Sequence, residues 1–191
     1  MTGVLFLAAC SPSNEEASTT EPTTTAAQTS SAAGASETQS AHSHDHSSHP
    51  ADGGAAPAGI AEADSPTFPV GSEVKLLADH MPGMQGATAT IAGAFHTTTY
   101  AVTYTPTTGG EPVEEHRWVV HEELHNPDAA PLPDGTQVVL DADHMQGMKG
   151  ATATIDYSTS ETVYMVDYEA DGMTMTNHKW VTESEIQPLN Q

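Results

Sequence analysis

Cysteine is almost absent from this chain: among 191 residues only Cys10 occurs, so no intramolecular disulfide can form. Basic residues are nearly as scarce, with Lys+Arg 4 against Asp+Glu 26 and a formal net charge of −22. A surface of that sign repels phosphate backbones and anionic headgroups, which excludes nucleic acid as a partner and favours cations. No G-x-S-x-G elbow, Walker loop, dinucleotide fingerprint or cysteine nucleophile is present, so the protein is not expected to be an enzyme. Apolar stripes of helical period are missing too, which leaves strands and loops as the building material.

The one cysteine has a telling context. Leu7-Ala8-Ala9-Cys10 reads as a bacterial lipobox, in which cleavage before Cys10 precedes its acylation. The apolar run Val4 to Ala9 is short for a signal segment and no Lys or Arg precedes it, so an authentic start upstream of Met1 is expected. Residues 1–10 are therefore read as a signal remnant and Cys10 as the membrane anchor of an extracytoplasmic protein. Residues 11–66 are dominated by Ser, Thr, Ala, Pro, Gly and Glu. With so few large apolar side chains they are expected to form a disordered tether. Within it, H-S-H-D-H-S-S-H supplies His42, His44, His46 and His49, a tract suited to capturing Cu(II) or zinc.

The remainder repeats itself. A-D-H-M-P-G-M-Q-G-A-T-A-T-I at 78–91 returns as A-D-H-M-Q-G-M-K-G-A-T-A-T-I at 142–155, an offset of 64 that also relates Tyr100/Tyr104 to Tyr164/Tyr168. After a turn two residues shorter in the second copy, His116-Arg117-Trp118-Val119 aligns with His178-Lys179-Trp180-Val181. Within each unit the period is two: Val74–Leu76, Ala87–Ile91, Tyr100–Tyr104 and His116–Val119 read as strands punctuated by glycines. The expected fold is all-β, with two tandem small SH3-like or KOW-like β-barrel units at 67–126 and 127–191. Each core is small enough that the two must pack together for stability.

The duplicated loop carries the chemistry. Methionine thioethers are soft, neutral ligands that with imidazole suit Cu(I) better than Mg, Ca or Mn, and they avoid the oxidation that thiols suffer outside the cytoplasm. His80, Met81 and Met84 form the first candidate set, and His144, Met145 and Met148 the second. His116 and His178 are the expected completing ligands, each sharing a strand face with its tryptophan (Trp118, Trp180), which would shield the ion. The same residues also suit a purely structural role, since Met is a flexible core filler. Met173 and Met175, present only in the second unit, fit extra ligands or packing equally well.

His121-Glu122-Glu123-Leu124-His125 matches H-E-x-x-H, the zincin motif. It directly follows a strand and meets Pro127 two residues later, leaving no room for the sustained helix that motif needs. His121 and His125 remain secondary metal candidates.

The tandem unit A-D-H-M-x-G-M-x-G-A-x-A-x-I … Y-x-V-x-Y … H-[RK]-W-V, over roughly 70–187, resembles the YdhK-type domain found in duplicate in bacterial surface lipoproteins. Some members, the CopL-like lipoproteins, are associated with copper resistance. The resemblance implies copper at His80, Met81, Met84 and His116, and at His144, Met145, Met148 and His178. The expected function is a lipid-anchored copper-binding protein, a monomer, that sequesters copper or passes it to a transporter. The rival expectation is a cell-wall or protein-binding surface module whose His/Met loops are structural.

Overall fold

The computed structural model describes residues 50–189. The lipobox Cys10 and the tract His42, His44, His46 and His49 lie outside the described residues. Ten strands run in order: β1 (Ala61–Glu62), β2 (Glu73–Leu76), β3 (Thr88–His96), β4 (Thr99–Tyr104), β5 (Val113–Val120), β6 (Gln137–Val139), β7 (Thr152–Thr159), β8 (Thr162–Ala170), β9 (Met173–Thr182) and β10 (Ile186–Pro188). The fold is all-β, and its repeats are the two that the sequence shows. Among the described residues the helical elements are the 3-10 turns His121–Glu123 and Glu183–Glu185.

Strand pairing departs from a self-contained barrel per repeat. One sheet runs β10-β2-β3-β8-β9, with β1 also on β3; the other runs β5-β4-β7-β6, and all pairs are antiparallel. Each sheet thus joins the first half of one repeat to the second half of the other. The boundaries 67–126 and 127–191 mark sequence repeats, not separately closed sheets, and both repeats lie in one compact unit.

The links between strands explain this exchange. Tight two-residue hairpins favour φ > 0 at their central residues. Asp171 (φ 51°) and Gly172 (φ 77°) satisfy that between β8 and β9, which pair. The two-residue links Thr97-Thr98 and Ser160-Glu161 contain no residue at positive φ. There the chain runs straight on into the opposite sheet instead of folding back.

Three cores result. Val74, Leu76, Met84, Ala89 and Ile91 of the first repeat pack with Tyr164, Val166, Tyr168 and Met175 of the second. Tyr100, Val102, Tyr104 and Val119 pack with Leu140, Met148, Ala153 and Ile155. Between the sheets, Phe95, Ala101, Trp118, Val120, Val163, Met165 and Trp180 form a third cluster with both tryptophans in it.

Within the described residues the expected tether 11–66 is not a tether. From Ala51 onward the backbone is paired: Thr176 N donates to Ala51 O (2.8 Å), Gly53 N donates to Thr176 O (2.9 Å), and β1 docks on β3. A Cβ on Gly53 would lie 2.1 Å from Asn177 O, so glycine permits the approach. Ala56 and Ile60 pack on the inter-sheet cluster, supplying the apolar burial that composition alone hides.

Candidate metal centre

Both copies of the His-Met loop fold identically. Met84 N donates to Met81 O and Ala87 N to Met84 O; Met148 N donates to Met145 O and Ala151 N to Met148 O, all at 3.0–3.1 Å. Gly83 (φ 75°) and Gly147 (φ 79°) take left-handed conformations that side chains resist. A Cβ on Gly83 would meet Asp171 Oδ2 at 2.6 Å, and one on Gly147 would meet Thr108 Oγ1 at 2.6 Å. Each loop is therefore pressed against a hairpin, and glycine is what admits it.

His144 is buried and His80 largely enclosed, and both are held by carboxylates. His80 Nε2 lies 2.6 Å from Glu185 Oε1, and Glu185 Oε2 accepts from Trp118 Nε1 at 2.9 Å and from Thr182 N at 3.0 Å. The second copy repeats this: His144 Nε2 lies 2.8 Å from Glu123 Oε1, while Glu123 Oε2 accepts from Trp180 Nε1 at 2.8 Å. Lys179 Nζ stands 4.0 Å from Glu123 Oε1. Burial pushes the Glu123 carboxyl up, but the charge and hydrogen bond of His144, with Trp180 and Lys179, outweigh it and hold the group below the ordinary range. Burial acts likewise on Glu185 and is overcome by the His80 hydrogen bond and charge, Thr182 N and Trp118.

Ionised carboxylates only accept hydrogen bonds. Each imidazole must therefore carry a hydrogen on Nε2, and whenever the ring is neutral its lone pair lies on Nδ1. His80 Nδ1 and His144 Nδ1 are both buried and neither has a hydrogen-bond partner. Unpaired buried polar atoms are costly and few in folded proteins. A carboxylate fixing one ring nitrogen while the other stays open is how metal-binding histidines are oriented. Among the described residues no group of three or more His, Cys, Asp or Glu side chains is placed to hold a metal ion. The other donors these loops contain are methionine thioethers, which are soft and neutral.

The methionines divide by depth. Met84 and Met148 are wholly buried in the two sheet cores, whereas Met81 and Met145 are partly buried at the core margins. Tyr168 Oη donates to Met81 Sδ at 3.7 Å. Met175 is buried in the core that holds Met84, while Met173 is exposed.

The completing histidines change places. His116 lies beside His144 of the other repeat, ring centroids 5.9 Å apart, and edge-on to Tyr104 at 6.0 Å. His178 stands edge-on to Tyr168 at 5.4 Å, and Tyr168 in turn touches Met81 of the first loop. The expected assignment of His116 to the first loop and His178 to the second is thus reversed, as strand exchange requires. Nor do His116 and Trp118 share surroundings: His116 faces Tyr104 and His144, but Trp118 lies in the inter-sheet cluster, 6.4 Å from His80. Ladder register shifts at Tyr100/Val102 and Val102/Tyr104 break the alternation that the sequence predicts. Glu115 (φ 47°) and Asn177 (φ 50°) precede the two histidines as bulge residues, bonded through Thr103 Oγ1 and Asp167 Oδ1. Bulges of this kind re-aim a side chain.

His121 and His125 are not brought together. The 3-10 turn is three residues long, His121 Nδ1 meets Tyr100 Oη at 3.1 Å, and exposed His125 pairs with Asp141 at 3.2 Å. The residue of that motif that matters is Glu123, the partner of His144. Glu123 and Glu185 align three residues beyond Val120 and Thr182, so the repeat itself carried the signal; comparing the copies for histidine alone passes over it.

A family model described as "Protein of unknown function (DUF1541)" matches residues 70–121 and 134–183. The chain is 51% identical over 132 residues to the uncharacterized protein YdhK of Bacillus subtilis strain 168, covering 68% of this chain and 64% of the relative, less than two thirds of its length. A crystal structure of the DUF1541 family protein YdhK from that bacterium is similar with a TM-score of 0.69 at 49% identity, over 71% of this chain and 93% of that one. The solution structure of the YdhK C-terminal domain gives 0.61 at 51% identity, over 64% and 94%. With both repeats matched and half of the aligned residues identical, the chain belongs to the DUF1541 family.

Proposed function

We propose that this protein is a copper-binding protein of the extracytoplasmic face, anchored through Cys10, that sequesters copper or hands it to a transporter. One observation carries the reading: in each repeat an imidazole is oriented by a carboxylate, has a buried Nδ1 without a hydrogen-bond partner, and sits in a loop with two thioethers. His80, Met81 and Met84 would hold one Cu(I), with His178 nearby across Tyr168. His144, Met145 and Met148 would hold another, with His116 nearby. A soft monovalent ion suits neutral donors that need no deprotonation. The His42–His49 tract adds a place for Cu(II) or zinc. The role is binding, not catalysis.

Anaerobic Cu(I) titration against a competing chelator tests this. Replacing Met81, Met84, Met145 and Met148 by Leu conserves volume in the two cores and should abolish tight binding; unchanged affinity would sink the reading. One observation favours the rival, a surface module with structural loops: Met84 and Met148 are fully enclosed in core. Stability that does not change on adding copper would support it.

A further inference from the structure

The two loops are alike in sequence, but their surroundings are not. Directly opposite Tyr168 on the neighbouring strand stands Met175; directly opposite Tyr104 stands Val113, its counterpart. The core of the first loop therefore holds three thioethers, Met81 bonded to Tyr168, Met175 opposite it and Met84 in the same cluster. The second has two, Met145 and Met148.

The tyrosines differ as well. Tyr168 spends its hydrogen on Met81 Sδ, fixing that thioether while leaving its second lone pair open. Tyr104 Oη is buried with no hydrogen-bond partner. Beside it stand two imidazoles, His116 of β5 and His144 of the second loop, 5.9 Å apart and inclined at 39°.

Resting on the copper reading above, we infer that the two centres are graded in softness. The first loop, with His80, Met81, Met84 and Met175, is a preorganised thioether-rich site that takes soft monovalent ions first. The second, with His144, Met145, Met148 and His116, has one thioether fewer and fills later. Thioethers select monovalent copper, whereas imidazole also serves harder ions. A donor already fixed in place binds at lower entropic cost. The gradient lets one chain hold a first ion firmly and exchange a second.

The test uses the full chain with 13C-methyl-labelled methionine and Ag(I) as a redox-inert soft probe. The methyl signals of Met81, Met84 and Met175 should move in the first equivalent, and those of Met145 and Met148 only in the second. M175L, which keeps the volume but removes one thioether of the first site, should lower first-site affinity on the order of tenfold or more. V113M should raise the second site towards the first. Simultaneous shifts in the unmodified chain, or an unchanged order in both variants, would overturn the grading while leaving copper binding intact. An absence of any methyl shift would overturn the metal reading itself.

Discussion

Glu185 and His80 lie 2.6 Å apart although 105 residues separate them, and the same carboxylate holds Trp118 of the opposite sheet at 2.9 Å. Glu123 does the same for His144 and Trp180. Each loop histidine is therefore oriented by the far end of the other repeat's half, through a carboxylate that also ties the two sheets together. The site and the fold share their supports.

Removing that support without removing its shape should weaken binding. In E185Q and E123Q the amide no longer carries the charge that fixes the Nε2 hydrogen. Cu(I) affinity at the matching loop should fall roughly 10–100-fold, the usual cost of losing such a partner. Chelator competition on each single variant reads the effect. Equal affinity in variant and parent would mean the carboxylates serve only the fold.

Acid should loosen the metal-free protein in a defined window. The ordinary value for these carboxyls is 4.5, and both are lowered in the fold. Near that pH the unfolded chain binds more protons, so stability rises with pH there. The contribution is complete above the unfolded value and is lost as pH falls through the folded one. Calorimetry of the apo protein should show a steady Tm from about pH 7 to 5 and a decline below about 4.5. The E123Q/E185Q pair should flatten that decline.

Both loop glycines should resist substitution. Gly83→Ala and Gly147→Ala force an L side chain to positive φ and drive its Cβ into Asp171 and Thr108. Each should cost roughly 1–3 kcal/mol, measured by chemical denaturation. Gly109→Ala, also at positive φ but facing open space, should cost less.

The strand exchange predicts how the chain can be divided. A fragment 67–126 or 127–191 alone should stay unfolded, because each sheet core draws side chains from both repeats. Burying one aliphatic side chain is worth roughly 1.5–3 kcal/mol, and each fragment lacks several partners. Mixed in equal amounts, the two should regain dispersed amide spectra. A folded single repeat would contradict the topology.

Much of this was legible in the sequence. The period of two, the 64-residue offset and the glycine punctuation lead to an all-β duplicated fold because they are local properties. Which strands pair is not local. A trace of the exchange was the lack of Gly, Asn or Asp at Thr97-Thr98 and Ser160-Glu161, a missing signal that is easily passed over. The bulges at Glu115 and Asn177 broke the alternation that placed His116 with Trp118, and non-glycine residues rarely announce such a conformation. Glu123 was hidden inside a motif whose familiar chemistry its short turn forbids.

The most direct test of the central claim is anaerobic Cu(I) binding by the full chain, compared with the variant in which Met81, Met84, Met145 and Met148 are all Leu. The account predicts two tightly held equivalents in the parent and their loss in a variant that still folds. Retention of both equivalents by the folded variant would contradict it.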